Sequence, residues 1–314
     1  MRPLALGLLA WLACAPPSQA DAPEIAAVVS QQAGIVTLID VEKGEAVSEI
    51  KLARVPASLA ATSEGRTLFV THPDLGFVSK VDVGKREVVA ILKVGKEPFG
   101  VGLADQDRSL LITDWSADAV IRLDATTGVE TARAETGKSP AGIVVDAGRE
   151  LAYVADRESD QVSIIDTAAM KRVATVAVGQ APFALTLSPD GSRLFVGNVR
   201  SNDLSVIDTG MRKELARPKA GLMPYGVAVT PDGKRVAVSN QQSGTLTILE
   251  ANSGNVVGRV RGGTFPEGVA IVAGNRALMV DWAADEVAII DLADMTVTAR
   301  IRVGAGPRSV VVLK

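Results

Sequence analysis

The sequence predicts an all-β protein: a seven-bladed β-propeller with four-stranded antiparallel blades. Three observations predict this fold. A repeat returns about every 42 residues, each repeat contains four short strand patterns, and the two ends of the chain complement one another. Internal repeats of this length are typical of solenoids and propellers, so the repeat is the first feature to explain.

Two independent markers define the repeat. An apolar strand ends in an acidic residue seven times, at steps of 42 residues and finally 41: Asp40, Asp82, Asp124, Asp166, Asp208, Glu250 and Asp291. A proline keeps the same spacing: Pro56, Pro98, Pro140, Pro182, Pro224, Pro266 and Pro307. The prolines give approximate blades at 56–97, 98–139, 140–181, 182–223, 224–265, 266–306, and 307–314 together with 24–55.

Residues 182–208 illustrate one unit. The apolar run FALTLS follows the proline, SPDG makes a turn, and RLFVGN and LSVID are two further strands. A fourth strand completes each repeat, and no helical periodicity is present. At the ends, RSVVVLK supplies one first strand, and the segment from EIAAVVS to AVSEIKL supplies strands two to four. Joining both ends in one blade closes the ring and removes the free sheet edges.

The repeat resembles the YVTN family of β-propeller repeats. The segments LSPDGSRLFVGNVRSNDLSVID (187–208) and LAYVADRESDQVSIID (151–166) carry the resemblance, which extends over nearly all of the chain after residue 20. It implies a secreted or periplasmic propeller, and some members of the family are associated with quinoprotein or haem dehydrogenases. Because one fold serves many functions, the resemblance alone assigns no activity.

Residues 1–20 have the pattern of a signal peptide cleaved after Ala20, which leaves residues 21–314 as a single propeller domain in the periplasm or outside the cell. A lipoprotein acylated at Cys14 and an uncleaved anchor are the alternatives. Cys14 is the only cysteine, so a disulfide scaffold is excluded. The net charge is −3 and no basic run occurs, so we expect neither nucleic-acid binding nor membrane insertion after cleavage.

Two sets of repeated polar residues are explained by the scaffold. The acids that end strand three bond to backbone N–H groups of the following turn. A second ring follows strand two: Gln31, His72, Asp114, Asp156, Asn198, Asn240 and Asp281. Turn chemistry explains this ring, and the alternative is a set of oxygen ligands for a cation such as calcium. The metal candidates are Asn198, Asn240, Asp281 and Glu267.

Departures from the repeat on one face of the ring are more informative. The loop into strand one and the loop between strands two and three emerge on the same face. Six aromatic residues fall in these loops: Phe99, Trp115, Phe183, Tyr225, Phe265 and Trp282. Four polar residues add anchors there: His72, Arg157, Glu267 and Arg308. Clustered aromatics on one face predict a binding surface for a partner protein or a planar ligand. The alternative is that each ring covers its own blade junction.

Three functions remain open. The first is a non-catalytic periplasmic propeller that binds a partner or ligand through the aromatic face. The second is a subunit or accessory of a quinoprotein or haem dehydrogenase system. The third is a metal-dependent, lactonase-like hydrolase. With a single histidine, His72, and no nucleophile elbow, phosphate loop or C-x-x-C-H motif, the sequence favours a binding protein over an enzyme. We therefore expect no cofactor, with a divalent cation as the alternative.

Overall fold

A computed structural model describes residues 24–313, so the predicted signal peptide lies outside the described residues. Within this range the chain forms seven four-stranded antiparallel sheets, which confirms the seven-bladed propeller. The first strand of each sheet contacts the first strands of both neighbouring sheets, and the circle closes between the last and first of them. No helix in residues 24–313 is long and apolar enough to cross a membrane.

The strands follow one another in chain order. Blades one to three contain β4 (Leu59–Ala61), β5 (Thr67–His72), β6 (Phe77–Asp82), β7 (Glu87–Lys93), β8 (Pro98–Ala104), β9 (Ser109–Asp114), β10 (Ala119–Asp124), β11 (Glu130–Glu135), β12 (Pro140–Asp146), β13 (Leu151–Asp156), β14 (Gln161–Asp166) and β15 (Lys171–Ala177). Two 3-10 helices, Pro73–Leu75 and Arg157–Ser159, lie between strands two and three of blades one and three.

Blades four to six contain β16 (Pro182–Leu187), β17 (Arg193–Asn198), β18 (Asp203–Asp208), β19 (Lys213–Ala216), β20 (Pro224–Val229), β21 (Arg235–Asn240), β22 (Thr245–Glu250), β23 (Val256–Arg261), β24 (Pro266–Val272), β25 (Arg276–Asp281), β26 (Glu286–Asp291) and β27 (Thr296–Arg302). Blade seven joins the chain ends: β28 (Pro307–Leu313) pairs with β1 (Ile25–Ser30), followed by β2 (Ile35–Asp40) and β3 (Glu45–Lys51). This pairing is the closure that the sequence predicts.

The hydrophobic core is divided among the blade junctions. Seven clusters of buried apolar residues are present, one between each pair of neighbouring blades. Phe69, Tyr153 and Phe195, which share one position of strand two, are among the largest buried side chains. Because every junction buries apolar surface from two blades, each blade depends on both neighbours for its stability.

The innermost strands carry a bulge where they reach the mouth of the central channel. In blade three, Pro140 pairs with Asp156 and Ile143 pairs with Val154, so the register shifts across Ala141 and Gly142. Blades two, four, five and six repeat this shift. A bulge re-aims the side chain that it contains. It turns the residue after the repeat proline toward the channel.

Glycine follows the mouth residue in four blades because the neighbouring strand is too close for a side chain. A β-carbon at Gly142 would lie 2.5 Å from the Phe183 carbonyl oxygen. A β-carbon built at Gly100, Gly226 or Gly268 would likewise lie 2.5, 2.5 or 2.8 Å from a carbonyl oxygen of the next blade. Hydroxyl groups connect other points of the ring, and Thr113 Oγ1 donates to the Ala141 carbonyl at 2.7 Å. The inner wall is therefore set by backbone-to-backbone approach.

We predict that Gly142→Ala lowers the free energy of unfolding by about 2 kcal/mol, because the added methyl group overpacks the junction of blades three and four. Gly148→Ala is the matched control, since a β-carbon there meets nothing closer than 3.6 Å. It should change stability by less than about 0.5 kcal/mol. Chemical denaturation of both variants measures the difference. Equal stabilities would contradict the close-approach account.

Candidate functional site

The residue after the repeat proline lines the channel cavity in five blades, and in blade six it bonds to the cavity-lining Arg308. The set of seven is Ala57, Phe99, Ala141, Phe183, Tyr225, Glu267 and Arg308, of which Ala141 is fully buried. The aromatic members form a continuous row. The ring centroids of Phe99 and Phe183 are 5.5 Å apart, and those of Phe183 and Tyr225 are 4.3 Å apart. Trp115 extends the row, with its ring 5.3 Å from Phe99. These distances are typical of attractive aromatic pairs.

A buried polar cluster completes the mouth on the side of blades five to seven. Arg308 Nε donates to Glu267 Oε2 at 3.0 Å, and Arg308 Nη2 donates to the Tyr225 hydroxyl. Gln241 Nε2 donates to Glu267 Oε1 at 2.9 Å. The guanidinium of Arg308 also lies 6.0 Å from the centroid of the Phe99 ring, so it joins the polar and aromatic groups.

Burial governs the protonation of this cluster. Only 5% of the Glu267 side chain and 17% of the Arg308 side chain are exposed. Burial raises the pKa of Glu267, and the charge of Arg308 acts against that rise. Burial also raises the pKa of Tyr225 to about 12, so its hydroxyl remains neutral at neutral pH. The cluster is a satisfied ion pair with a neutral phenol.

The aromatic pocket is an apolar depression of about 310 Å³ that opens beside this cluster. Its lining comes from five blades: Phe99, Trp115, Arg157, Phe183, Val199, Met223, Tyr225 and Arg308. A second cavity of about 200 Å³ continues below the mouth, between the innermost strands. The mouth side chains separate the aromatic pocket from this channel cavity.

A charged chain of side chains borders the aromatic pocket. The Arg157 guanidinium lies 5.7 Å from the Trp115 ring centroid and pairs with Glu158. Arg200 binds the same carboxylate through both terminal nitrogens, at 2.9 and 3.0 Å, and lowers the pKa of Glu158. Arg157 is therefore held over the indole ring by a network rather than by one contact.

The structure brings together most, but not all, of the predicted face. Phe99, Trp115, Phe183, Tyr225, Arg157 and Arg308 line the aromatic pocket, and Glu267 lies in the adjacent polar cluster. Phe265 and Trp282 form a separate pair with centroids 6.0 Å apart and do not line the aromatic pocket. The Trp282 backbone N–H donates to the Phe265 carbonyl at 3.1 Å, so the pair lies beside the entry to blade six.

His72 is not part of the mouth surface. It is fully buried at the end of β5, with Nδ1 donating to the Arg54 carbonyl at 3.1 Å. Its Nε2 accepts from Ser79 Oγ at 2.9 Å, and burial lowers the pKa of the imidazole. Repeat position places this residue in a polar ring, and the sequence does not reveal that the ring is buried. His72 is a structural residue, not the predicted polar anchor.

The ring after strand two is a set of internal clamps. Asp114 accepts from the backbone N–H groups of Lys96 and Glu97, at 2.7 and 3.1 Å, and ties the loop that enters β8. Asp281 binds the Thr264 and Phe265 N–H groups in the same way. The register of blade seven places Ser30, not Gln31, in this ring. Loop bonding therefore accounts for Asp114 and Asp281. Asp156 instead accepts from the side chains of Gln161 and Ser163 in β14.

The metal candidates are engaged only in part, because the Oδ1 atoms of Asn198 and Asn240 are buried without a hydrogen-bond partner. Their amide nitrogens are engaged, and Asn198 Nδ2 donates to Asp203 and Ser205, at 3.0 and 2.9 Å. Asn240 Nδ2 donates to Thr247 Oγ1 at 2.9 Å, and Glu267 is paired with Arg308. Within residues 24–313, no three His, Cys, Asp or Glu side chains are grouped so that they can hold a metal ion.

Three residues of the mouth are absent from the sequence-based selection: Val199, Met223 and Gln241. Val199 and Gln241 occupy the repeat position of Trp115, immediately after the polar ring, and Met223 directly precedes a repeat proline. Their positions in the repeat place them in the two mouth loops. None of the three is aromatic, so the cluster of aromatic residues in the sequence does not point to them.

Comparison with known proteins gives one family match. The family model described as the cytochrome D1 heme domain matches residues 146–267. This match contradicts the expectation of no cofactor, because it points to haem as the group to test at this site. No curated protein sequence matches the chain.

Three solved structures share the fold. Hydrazine synthase from Kuenenia stuttgartiensis has a TM-score of 0.75 at 19% identity, covering 84% of this chain and 91% of that chain. A functionally unknown protein from Desulfotomaculum acetoxidans has a TM-score of 0.78 at 16% identity, covering 92% and 98%. The dihydro-heme d1 dehydrogenase NirN in complex with DHE has a TM-score of 0.68 at 19% identity, covering 93% and 66%. These likenesses establish the propeller fold, and the more specific YVTN assignment stays a prediction.

The aromatic pocket fits a planar macrocycle with carboxylate substituents. The rings of Phe99 and Phe183 are inclined at 74° to each other, so one of them can lie flat against such a group while the other meets it edge-on. Arg157 and Arg308 offer guanidinium groups for carboxylates. Histidine ligation of a haem iron does not fit, because the chain's only histidine, His72, is buried with both ring nitrogens bonded. The side chains of the pocket therefore suit the macrocycle and its carboxylates, and they supply no histidine nitrogen for the iron.

We predict that Arg308→Leu destabilises the protein by about 3 kcal/mol at neutral pH, because Glu267 is left buried without its cation. Loss of Arg308 also raises the Glu267 pKa further above its unfolded value. The folded variant then binds a proton more tightly than the unfolded chain, so its stability rises as the pH falls toward the Glu267 pKa. Denaturation at several pH values measures the difference in unfolding free energy between the wild type and the variant, which should shrink as the pH falls.

Arg200→Leu is the control for this prediction. The Arg200 side chain is 53% exposed where it pairs with Glu158, so its loss should cost less than about 1 kcal/mol. A deficit for Arg308→Leu that stays constant with pH would contradict the assignment of the charge to Glu267.

Proposed function

We propose that this protein is a periplasmic propeller that acts as a subunit or accessory of a haem-dependent redox system and holds a haem-type tetrapyrrole against its mouth. One observation carries the proposal. The segment that matches the cytochrome D1 heme domain model, residues 146–267, supplies Arg157, Phe183, Met223 and Tyr225 to the aromatic pocket. The matched segment thus supplies part of the pocket lining, and Phe99, Trp115 and Arg308 come from outside it.

The side chains of the pocket suit this ligand in three respects. Phe99 and Phe183 present apolar rings to the macrocycle, and stacking on aromatic rings adds to the free energy of apolar burial. The guanidinium groups of Arg157 and Arg308 pair with carboxylates and fix the orientation of the ligand. The ion pair of Arg308 with Glu267 holds that guanidinium in place before the ligand arrives.

The bound group supplies electron-transfer or small-molecule redox chemistry, and the protein contributes orientation and exclusion of water. The apolar floor formed by Phe99, Phe183 and Tyr225 keeps water from one face of the ligand. A redox partner would approach from the opposite, open side of the mouth. The proposal thus includes a protein partner, as the sequence predicts, and that partner would bind over the ligand. A quinone cofactor that carries carboxylates is the alternative planar ligand for the aromatic pocket.

We predict that the purified chain from residue 21 onward binds ferric haem in a 1:1 complex, seen as a shift of the Soret band on titration. Phe183→Ala should weaken binding roughly tenfold, because it removes the ring that contacts both Phe99 and Tyr225 in the aromatic row. Trp282→Ala is the matched control, since that ring lies outside the aromatic pocket. Absence of stoichiometric binding, or an equal loss in both variants, would refute the proposal.

A further inference from the structure

We propose that Met223 coordinates the iron of the bound group, through its thioether sulfur, as an axial ligand. The inference rests on the proposed function, and it concerns a residue to which no role has been assigned. Proteins bind haem iron through histidine, cysteine, methionine or tyrosine side chains. Each of these types in the described chain has a known position, so the candidates can be compared directly.

Histidine and tyrosine are unsuited to ligation at the mouth. His72 is buried at the end of β5 and both ring nitrogens are bonded. Tyr153 is buried in the junction of blades three and four. Tyr225 reaches the aromatic pocket, but Arg308 donates a hydrogen bond to its hydroxyl, which favours use of the oxygen lone pair within the protein. The single cysteine, Cys14, falls in the predicted signal peptide.

The remaining methionines of the described chain are elsewhere. Met170 and Met279 are buried in junction cores, and Met295 packs against one of these cores. Met211 is exposed in the hairpin between β18 and β19, on the face opposite the mouth. Among residues 24–313, Met223 is thus the thioether that lines the aromatic pocket.

The backbone of Met223 is held from both sides. Its N–H donates to Asn202 Oδ1 at 2.9 Å, and its carbonyl accepts from the Gln241 N–H at 2.8 Å. The residue has φ 57°, a left-handed conformation that recurs before the repeat proline in other blades. The loop geometry is therefore a property of the repeat, whereas the long sulfur side chain is specific to the entry of blade five.

The other blades place different residues at this position: Val55, Glu97, Ser139, Ala181, Phe265 and Gly306. None of them carries a soft donor suited to haem iron. Met223 also projects from the segment that matches the cytochrome D1 heme domain model. A thioether ligand raises the reduction potential of haem iron, so the assignment has an electrochemical consequence.

The test is the absorption and magnetic circular dichroism spectrum of the ferric haem complex. We expect the far-red charge-transfer band of an iron–thioether bond in the wild type and its loss in Met223→Leu. Because the stacking surface is unchanged, the Kd of that variant should rise by no more than roughly tenfold. Its midpoint potential should fall. Met223→His should replace the band by the spectrum of a nitrogen-ligated iron.

Met211→Leu is the matched control, since it removes an exposed thioether on the opposite face, and it should leave the spectrum and potential unchanged. If the wild type binds haem but lacks the band, or if Met223→Leu retains it, Met223 is not the ligand and the proposed function still stands. If the wild type binds no haem at all, the proposed function fails and the ligand assignment fails with it.

Discussion

The close approach of the seven innermost strands is the constraint on which the site depends. In four blades a carbonyl oxygen of the next strand occupies the space where a β-carbon would lie, so glycine follows the mouth residue. The bulge at the same point turns the mouth side chain toward the axis. Side chains from distant parts of the chain therefore converge because their backbones are forced together. Phe99 and Arg308, for example, meet across two blades.

This constraint fixes where the mouth residues lie, but it does not fix which residue types occupy those positions. The backbone of each blade delivers one residue to the mouth, and the repeat does not dictate whether it is alanine, phenylalanine, glutamate or arginine. Ala57 and Ala141 leave room, whereas Phe183 and Tyr225 fill it. Glu267 and Arg308 satisfy each other, which allows two charges to remain buried beside aromatic rings. The aromatic pocket and the polar cluster are thus built from departures within an otherwise regular scaffold.

The sequence was sufficient to predict the blades because the repeat markers are local. The proline, the strand-ending acid and the two chain ends recur at fixed distances, and each has a simple backbone role. The contents of the mouth were harder to predict, since they depend on depth. His72 and Trp115 occupy neighbouring repeat positions, yet the first is buried beneath the loop and the second lines the aromatic pocket. Position in the repeat does not show which of two neighbouring residues is buried and which lines the pocket.

Met223 and Gln241 were missed for a related reason. Neither residue type attracts notice alone, and their importance comes from neighbours contributed by other blades. Gln241 matters because it bonds Glu267, and Met223 because it lines the aromatic pocket together with Phe99 and Phe183. The expectation of no cofactor is contradicted by the match to the cytochrome D1 heme domain model, and neither histidine pairs nor a C-x-x-C-H motif announces that match in the sequence. Aromatic rings and guanidinium groups contributed by several blades form no contiguous motif.

The most direct test of the central claim is a crystal structure of the protein grown with haem. The account predicts one ordered tetrapyrrole in the aromatic pocket at the channel mouth, in contact with the rings of Phe99 and Phe183 and with its carboxylates at Arg157 and Arg308. A tetrapyrrole bound at the rim of the ring or on the opposite face, with the aromatic pocket left empty, would contradict it.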